Sequence, residues 1–147
     1  MKKIFTLIIG ICSIAGLQAQ STVVGTTTYD LQTNGGNKSR LLVHDDGTVS
    51  AMWTGSTSGT ISFTDRGMFF NSSPDGTTWG AFPTTRIEPT RTGFGDMVKV
   101  GDHEVMFSHD GTNIYVFKND ELGGTSWTPT AGSLQITGLW PNAYCPE

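Results

Sequence analysis

The chain has little charge, few basic residues and almost no cysteine. Only 15% of its 147 residues are charged, and 13 Asp and Glu outnumber 9 Lys and Arg, for a formal net charge of −4. Because there is no basic patch and no run of like charge, nucleic acid is not expected as a partner. The two cysteines are Cys12 and Cys145, and Cys12 lies in a segment predicted to be removed. No internal disulfide is therefore predicted, and stability must come from packing.

The chain also lacks amphipathic helices, long apolar runs and metal-binding patterns. After residue 20 no segment places apolar residues at helical spacing. The longest apolar run, 4–17, is shorter than the roughly 20 residues that a membrane-spanning helix needs. The acidic spacing of a calcium-binding loop is missing too. We therefore predict no membrane span after signal cleavage, no metal and no other cofactor.

The N-terminus has the layout of a secretory signal peptide. Lys2 and Lys3 form a positive region, the apolar run follows, and Ala19 offers a cleavage point. We predict that residues 1–19 are removed, which leaves 128 residues. The predicted location is secreted, extracellular or cell-surface, with the periplasm as an alternative.

What remains is rich in glycine, threonine and turn signals, which predicts an all-β fold. Short alternating runs are separated by turns, as in antiparallel sheets. Asp46 and Gly47 form a strong hairpin signal, because glycine accepts a positive φ angle without steric cost. The predicted strands span 22–29, 40–44, 48–53, 61–64, 68–71, 97–100, 104–108, 113–118 and the start of one at 134–137.

Two tetrapeptides reveal an internal repeat. Residues 76–79 read Gly-Thr-Thr-Trp and residues 124–127 read Gly-Thr-Ser-Trp, 48 positions later. A period of about 40–50 residues with four short strands is typical of β-propeller blades. The predicted organisation is an N-terminal strand and linker (20–39), one blade (40–94), a second blade (95–133) and the start of a third (134–147). The stretch 83–92 is predicted to supply the outer strand of the first blade.

The predicted propeller is incomplete, with about two to two and a half blades. Since propellers generally need four or more blades to close, open sheet edges would remain. We expect either a fragment whose partners are the remaining blades of a longer protein, or self-association. The mature segment alone is expected to be marginally stable as a monomer.

Residues 73–79, Ser-Pro-Asp-Gly-Thr-Thr-Trp, resemble the Asp-box, or BNR repeat, of sialidase-like β-propellers. The usual pattern is Ser/Thr-x-Asp-x-Gly-x-x-Trp, and this copy lacks one residue between Asp and Gly. Residues 119–127 keep only the Gly and Trp of the pattern. The resemblance implies a structural turn on the loop between the third and fourth strands of a blade, away from the catalytic face. The residues assigned to it are Ser73, Asp75, Gly76, Trp79, Gly124 and Trp127.

The resemblance also implies a test for sialidase chemistry. The family binds a substrate carboxylate with three arginines, which suit the task because the guanidinium fork is planar and bidentate. Its first arginine lies in a Phe/Tyr-Arg-Ile-Pro motif before the first box. Here Arg-Ile-Glu-Pro (86–89) carries an extra residue and follows the box. No Tyr-Glu nucleophile pair can be placed, so no catalytic residue is assigned.

Arg86, Glu88 and Arg91 are the candidate binding residues, on a connection between the two units. The alternative is an outer strand with a local Arg-Glu pair. Ser108, His109 and Asp110 have the letters of a catalytic triad, but adjacent residues of a strand point to opposite faces.

The tryptophans also have two interpretations: they form a surface on which sugars stack, or they pack in the core between blades. We predict a non-catalytic extracellular module that binds glycans, a cell-surface polymer or another surface partner. The alternative is the N-terminal part of an exo-sialidase-like glycoside hydrolase.

Overall fold

The structure is a computed structural model, and it describes residues 21–32, 39–130 and 140–145. Every helix or strand among them is a β-strand, which confirms the predicted all-β class. No helix in these ranges is long and apolar enough to cross a membrane. The strands are β1 (Leu41–Val43), β2 (Val49–Gly55), β3 (Gly67–Ser73), β4 (Gly93–Val100), β5 (His103–His109), β6 (Ile114–Asn119) and β7 (Trp127–Pro129).

The strands form two antiparallel sheets in which chain neighbours pair. The first sheet has the order β1-β2-β3 and the second the order β4-β5-β6-β7. The predicted turn at Gly47 (φ 90°) carries its glycine in the left-handed region, and so do the turns at Gly101 (φ 59°) and Gly111 (φ 104°). Glycine therefore occupies the turn positions that need a positive φ angle, which it adopts without steric cost.

Two predicted strands are wrong. Residues 22–29 and 61–64 are irregular, because side chains replace the backbone ladder that a strand would need. The Thr27 hydroxyl accepts a hydrogen bond from the Tyr29 backbone N–H at 2.9 Å, which forms a local turn. In the second segment Ile61 is 95% exposed, so nothing holds an apolar strand face there.

The predicted outer strand at 83–92 is also absent as a regular strand. The segment follows β3 through isolated contacts, with Gly80 N donating to Ser72 O at 3.1 Å and Ile87 N donating to Met68 O at 2.9 Å. Pro83 has no N–H to donate, which prevents a continuous ladder. The first sheet consequently has three strands. The predicted strand at 134–137 lies outside the described residues.

The hydrophobic core lies between the two sheets, where β4 packs against the first sheet. Methionines dominate it, and their flexible side chains fill irregular gaps. Trp127 packs on the core edge-on to Phe70, with ring centroids 5.1 Å apart. The fully packed set is Met52, Met68, Phe70, Met97, Met106 and Phe117.

A buried polar contact also joins the sheets. His44 Nε2, just after β1, lies 2.8 Å from Oε1 of Glu104 on β5, and both side chains are fully buried. The other carboxylate oxygen accepts a hydrogen bond from Asn119 Nδ2 at 3.1 Å. His44 Nδ1 has no protein partner among the described residues.

Candidate functional site

The two sheets have their ends aligned, so the molecule has two distinct ends at which candidate sites can be examined. Ser73 ends β3 and Asn119 ends β6 at what we call the Asp-box end. At the opposite end Gly55 pairs with Gly67 in the first sheet. In the second sheet Gly93 pairs with His109 at that same end. The contact of the Phe94 N–H with Thr54 Oγ1 at 2.9 Å fixes this alignment between the sheets.

At the Asp-box end, Asp75 organises the predicted turn. Its Oδ1 accepts hydrogen bonds from the backbone N–H of Thr77 (2.8 Å) and of Thr78 (2.6 Å). The Ser73 hydroxyl donates to the same oxygen at 3.1 Å, and Gly76 takes the left-handed conformation with φ 73°. These hydrogen bonds, first those of the Thr78 and Thr77 backbone, hold the pKa of Asp75 well below its ordinary value. The carboxylate is thus fully engaged in its own turn.

We expect Asp75→Ala to lower the melting temperature at neutral pH, because the turn loses the acceptor of its backbone amides. A carboxyl whose pKa is depressed on folding stabilises the protein above its ordinary value of 3.8 and ceases to do so as pH falls. The difference from wild type should therefore shrink in acid. Thermal melts at several pH values measure it. Asp45→Ala is the control, since the Asp45 side chain is fully exposed; equal shifts in both variants would contradict the structural role.

The second copy of the turn is built around an asparagine that the sequence analysis did not single out. Asn119 Nδ2 donates to Gly124 O at 2.5 Å, and Asn71 Nδ2 donates to Gly80 O at 3.1 Å in the first copy. The two asparagines are 48 residues apart, the same spacing as the tryptophans. This spacing was the signal that could have identified them. Trp127 begins β7 and packs on the core, whereas Trp79 is half-buried in its loop.

The three predicted binding residues occupy different environments. Arg86 is half-buried and donates to three backbone carbonyls: Glu88 O at 2.9 Å, Thr64 O at 3.0 Å and Pro89 O at 3.1 Å. It therefore fastens its own loop to the loop before β3. Arg91 is exposed, and only its Nε is engaged, by Phe63 O at 3.0 Å. Its terminal guanidinium nitrogens have no protein partner within the described part of the chain.

Glu88 is buried and lies against β3. Its Oε2 accepts the backbone N–H of Met68 at 2.9 Å, the place that an outer strand would occupy. Burial raises the pKa of Glu88, although the nearby hydroxyls of Ser108 and Thr92 and the Met68 N–H oppose the rise. Neither hydroxyl has hydrogen-bond geometry to Oε1, which has no protein partner among the residues described. The local Arg-Glu contact runs through the Glu88 backbone carbonyl rather than through its carboxylate.

The end opposite the Asp-box carries an aromatic cluster around Arg66, and we call it the arginine end. The Arg66 guanidinium carbon lies 5.1 Å from the Tyr29 ring centroid and 5.2 Å from that of Phe94, within range of cation–π attraction. Arg66 Nε donates to Thr92 O at 2.8 Å, and Nη1 donates to the Tyr29 hydroxyl at 3.2 Å. The site thus holds a guanidinium group between two rings.

Backbone strain marks the same place. Phe63 and Phe94 have φ angles of 43° and 53°, which bulky L-residues rarely adopt. Phe94 lies in the irregularity of β4 between Gly93 and Asp96, and such bulges re-aim side chains. The bulge directs the Phe94 ring to Arg66 on one side and to His109 on the other, 5.7 Å away and nearly parallel. Strain of this kind costs on the order of 1–3 kcal/mol per residue and concentrates at functional sites.

Two guanidinium groups, those of Arg66 and Arg91, lie near each other at the arginine end. Burial, and then the neighbouring charge of Arg91, lower the pKa of Arg66 from its ordinary value. No carboxylate oxygen within the described ranges lies within 4 Å of either guanidinium group. Arg66 is only 9% exposed, so the exposed Arg91 guanidinium is the group of the two that an anionic ligand can reach.

The adjacent residues Ser108, His109 and Asp110 do not form a hydrolytic site. The Asp110 carboxylate accepts from the backbone of Asn113 and Thr112 and from the Tyr115 hydroxyl, at 2.8 Å in each case. The Asn113 backbone, followed by Thr112 and the Tyr115 hydroxyl, lowers the pKa of Asp110 to about 2 despite some burial. His109 stacks on Phe94 instead.

Comparisons of this chain with protein-family models, with curated proteins and with solved structures gave no match.

Proposed function

We propose that this chain is an exported, sialidase-like propeller module that binds glycans at its arginine end without hydrolysing them. Two features support the propeller part of the proposal. The second sheet runs through its four strands in chain order, and in both units the box segment follows the third strand. That arrangement agrees with the loop position that the Asp-box resemblance implies.

One observation carries the binding part: the exposed Arg91 guanidinium lies beside Arg66 with no carboxylate partner among the described residues. The rings of Tyr29 and Phe94 flank Arg66, and the partly exposed Tyr29 ring gives the site an apolar edge. A sugar acid offers both complements, since its carboxylate suits a guanidinium group and its C–H faces suit an aromatic ring. An acidic glycan is therefore the ligand class that this end favours.

The absence of a paired nucleophile favours binding over hydrolysis. A sialidase-type mechanism needs a tyrosine activated by a glutamate. In the described part of the chain the Tyr29 hydroxyl accepts from Arg66 and the Tyr115 hydroxyl donates to Asp110. The third described tyrosine, Tyr144, is 86% exposed, and none of the three hydroxyls is hydrogen-bonded to a glutamate among the described residues.

Arg91→Ala is expected to weaken binding of 3′-sialyllactose at least tenfold, or about 1.4 kcal/mol, while lactose binds weakly to both proteins. Isothermal titration calorimetry at low salt measures the affinities. Lys99→Ala is the matched control, because it removes one positive charge at the Asp-box end, where Lys99 pairs with Asp45 at 3.4 Å. Equal affinities for sialyllactose and lactose would overturn the proposal. Release of free sialic acid would replace it with the glycosidase alternative.

A further inference from the structure

A cleft of about 560 Å³ lies on the flank of the molecule, between the segment 80–87 and β7. Its volume falls in the range of small-ligand sites, roughly 300–1,000 Å³. The rings of Phe70, Phe82 and Trp127 line it together with the side chains of Thr84 and Thr85. It is separate from the arginine end, because neither Arg66 nor Arg91 lines it.

The edge of β3 exposes an unused backbone pair to this cleft. Met68 is fully engaged on that edge, since its N–H donates to Glu88 and its carbonyl accepts from Ile87. The Ser72 N–H donates to Asn71 Oδ1 and its carbonyl accepts from Gly80. Because strand residues alternate, Phe70 directs its N–H and C=O to the same edge. Among the described residues Phe70 has no hydrogen-bond partner on that edge, and a buried pair of this kind needs one.

The unpaired N–H and C=O of Phe70 suit a small hydroxylated ligand better than a peptide. An added peptide strand would need several consecutive open positions on β3. Here the positions on both sides, Met68 and Ser72, are already occupied, so a peptide could pair at Phe70 alone. A single hydroxyl group can both donate to a carbonyl and accept from an N–H.

The rest of the lining favours an uncharged, ring-shaped ligand. Phe82 is 48% exposed and can offer its face to C–H groups. The hydroxyls of Thr84, Thr85 and Thr125 have no hydrogen-bond partner among the described residues, so they remain available. Arg86 is the one charged residue of the lining, and its three nitrogens already donate to backbone carbonyls.

We propose that this cleft binds an uncharged sugar ring of an oligosaccharide. One sugar hydroxyl pairs with the N–H and C=O of Phe70, the ring stacks on Phe82, and the threonine hydroxyls bind the remaining sugar hydroxyls. The site does not depend on the acidic-glycan proposal, because the two share no residue and need ligands of different charge.

The test is an NMR titration of the full chain with cellohexaose and, separately, with maltohexaose. We expect saturable shifts of the amide resonances of Phe70 and of residues 80–87 with at least one of them. Phe82→Ala should weaken that binding tenfold or more without a change in melting temperature. Thr125→Trp should abolish binding, because the larger side chain fills the cleft from its rim. This variant removes none of the aromatic side chains that line the cleft. Arg91→Ala should leave the titration unchanged.

Three results would overturn the proposal. They are no saturable shift with either hexasaccharide, shifts confined to residues outside the cleft, or equal affinities of Phe82→Ala and wild type. A Thr-Val-Thr-Val-Thr peptide that shifts the Phe70 amide when neither sugar does would reassign the cleft to strand addition. Loss of cleft binding in Arg91→Ala would show that sugars bind at the arginine end instead.

Discussion

Replacing Glu104 with alanine is expected to lower the free energy of unfolding by roughly 1–3 kcal/mol for each of the two buried donors that lose their acceptor. The Glu104 carboxylate contacts His44 Nε2 at 2.8 Å and Asn119 Nδ2 at 3.1 Å, with no exposed side-chain surface. The truncation leaves the His44 imidazole buried without an acceptor. Because His44 follows β1 and Glu104 lies on β5, the loss also weakens the association of the two sheets.

Urea denaturation followed by tryptophan fluorescence measures this effect. Lys99→Ala is the control, because the Lys99–Asp45 pair is exposed and such pairs contribute about 0–1 kcal/mol. A Glu104→Ala midpoint that moves no further than that of Lys99→Ala would contradict the expected role of the pair.

A double-mutant cycle separates the contact from the cost of burial. His44→Leu combined with Glu104→Leu removes both polar groups, and such apolar replacements are often neutral or stabilising. The double variant should therefore be more stable than either single variant, with a coupling energy of roughly 0.5–3 kcal/mol. Additive losses would mean that the two side chains act independently.

Local turn chemistry explains the part of the fold that could be predicted from the sequence. Gly47 and Gly111 each follow an aspartate and Gly101 precedes one, and all three have a positive φ angle. Alternation of apolar residues then identified the central strands. Residues 22–29 have the same composition as a strand, but side-chain hydrogen bonds and the close approach of Gly25 to Trp53 override it.

The candidate sites depend on contacts between residues that are distant in sequence. Arg66 meets Tyr29 across 37 positions, and His44 meets Glu104 across 60. Each of these residues lies beside a turn, where an exposed polar side chain is the ordinary expectation. Nothing in their local pattern distinguishes them from solvated residues. The bulge that turns Phe94 toward Arg66 depends on the pairing of β4 with β5. It therefore cannot be predicted from the neighbouring sequence either.

The second large effect expected is a pH-dependent gain in stability on replacing Glu88 with glutamine. Burial raises the pKa of Glu88 above its ordinary value of 4.5. A carboxyl with a raised pKa favours the folded state while it is protonated, below pH 4.5. That stability is lost as pH rises from 4.5 to the folded-state pKa. Each unit of rise corresponds to about 1.4 kcal/mol.

Glutamine keeps the oxygen that accepts the Met68 N–H at 2.9 Å and carries no charge at any pH. Glu88→Gln and wild type should therefore be similarly stable near pH 4, and the variant should gain on wild type up to neutral pH. The carboxylates of Asp65, Asp75 and Asp110, whose pKa values are lowered, give an opposite slope. They are present in both proteins and cancel in the difference.

Urea denaturation of both proteins between pH 4 and pH 8 measures the difference curve. Glu121→Gln is the matched control, because Glu121 is exposed and its replacement should leave the curve flat. Parallel curves for Glu88→Gln and wild type would mean that the carboxylate is stabilised in the fold as well as it is in water. The segment 80–92, which carries Arg86 and Arg91, would then be fastened to β3 by an ionised carboxylate. A rising curve means instead that a neutral carboxyl holds this segment in place, so that raising the pH loosens the loop that presents Arg91.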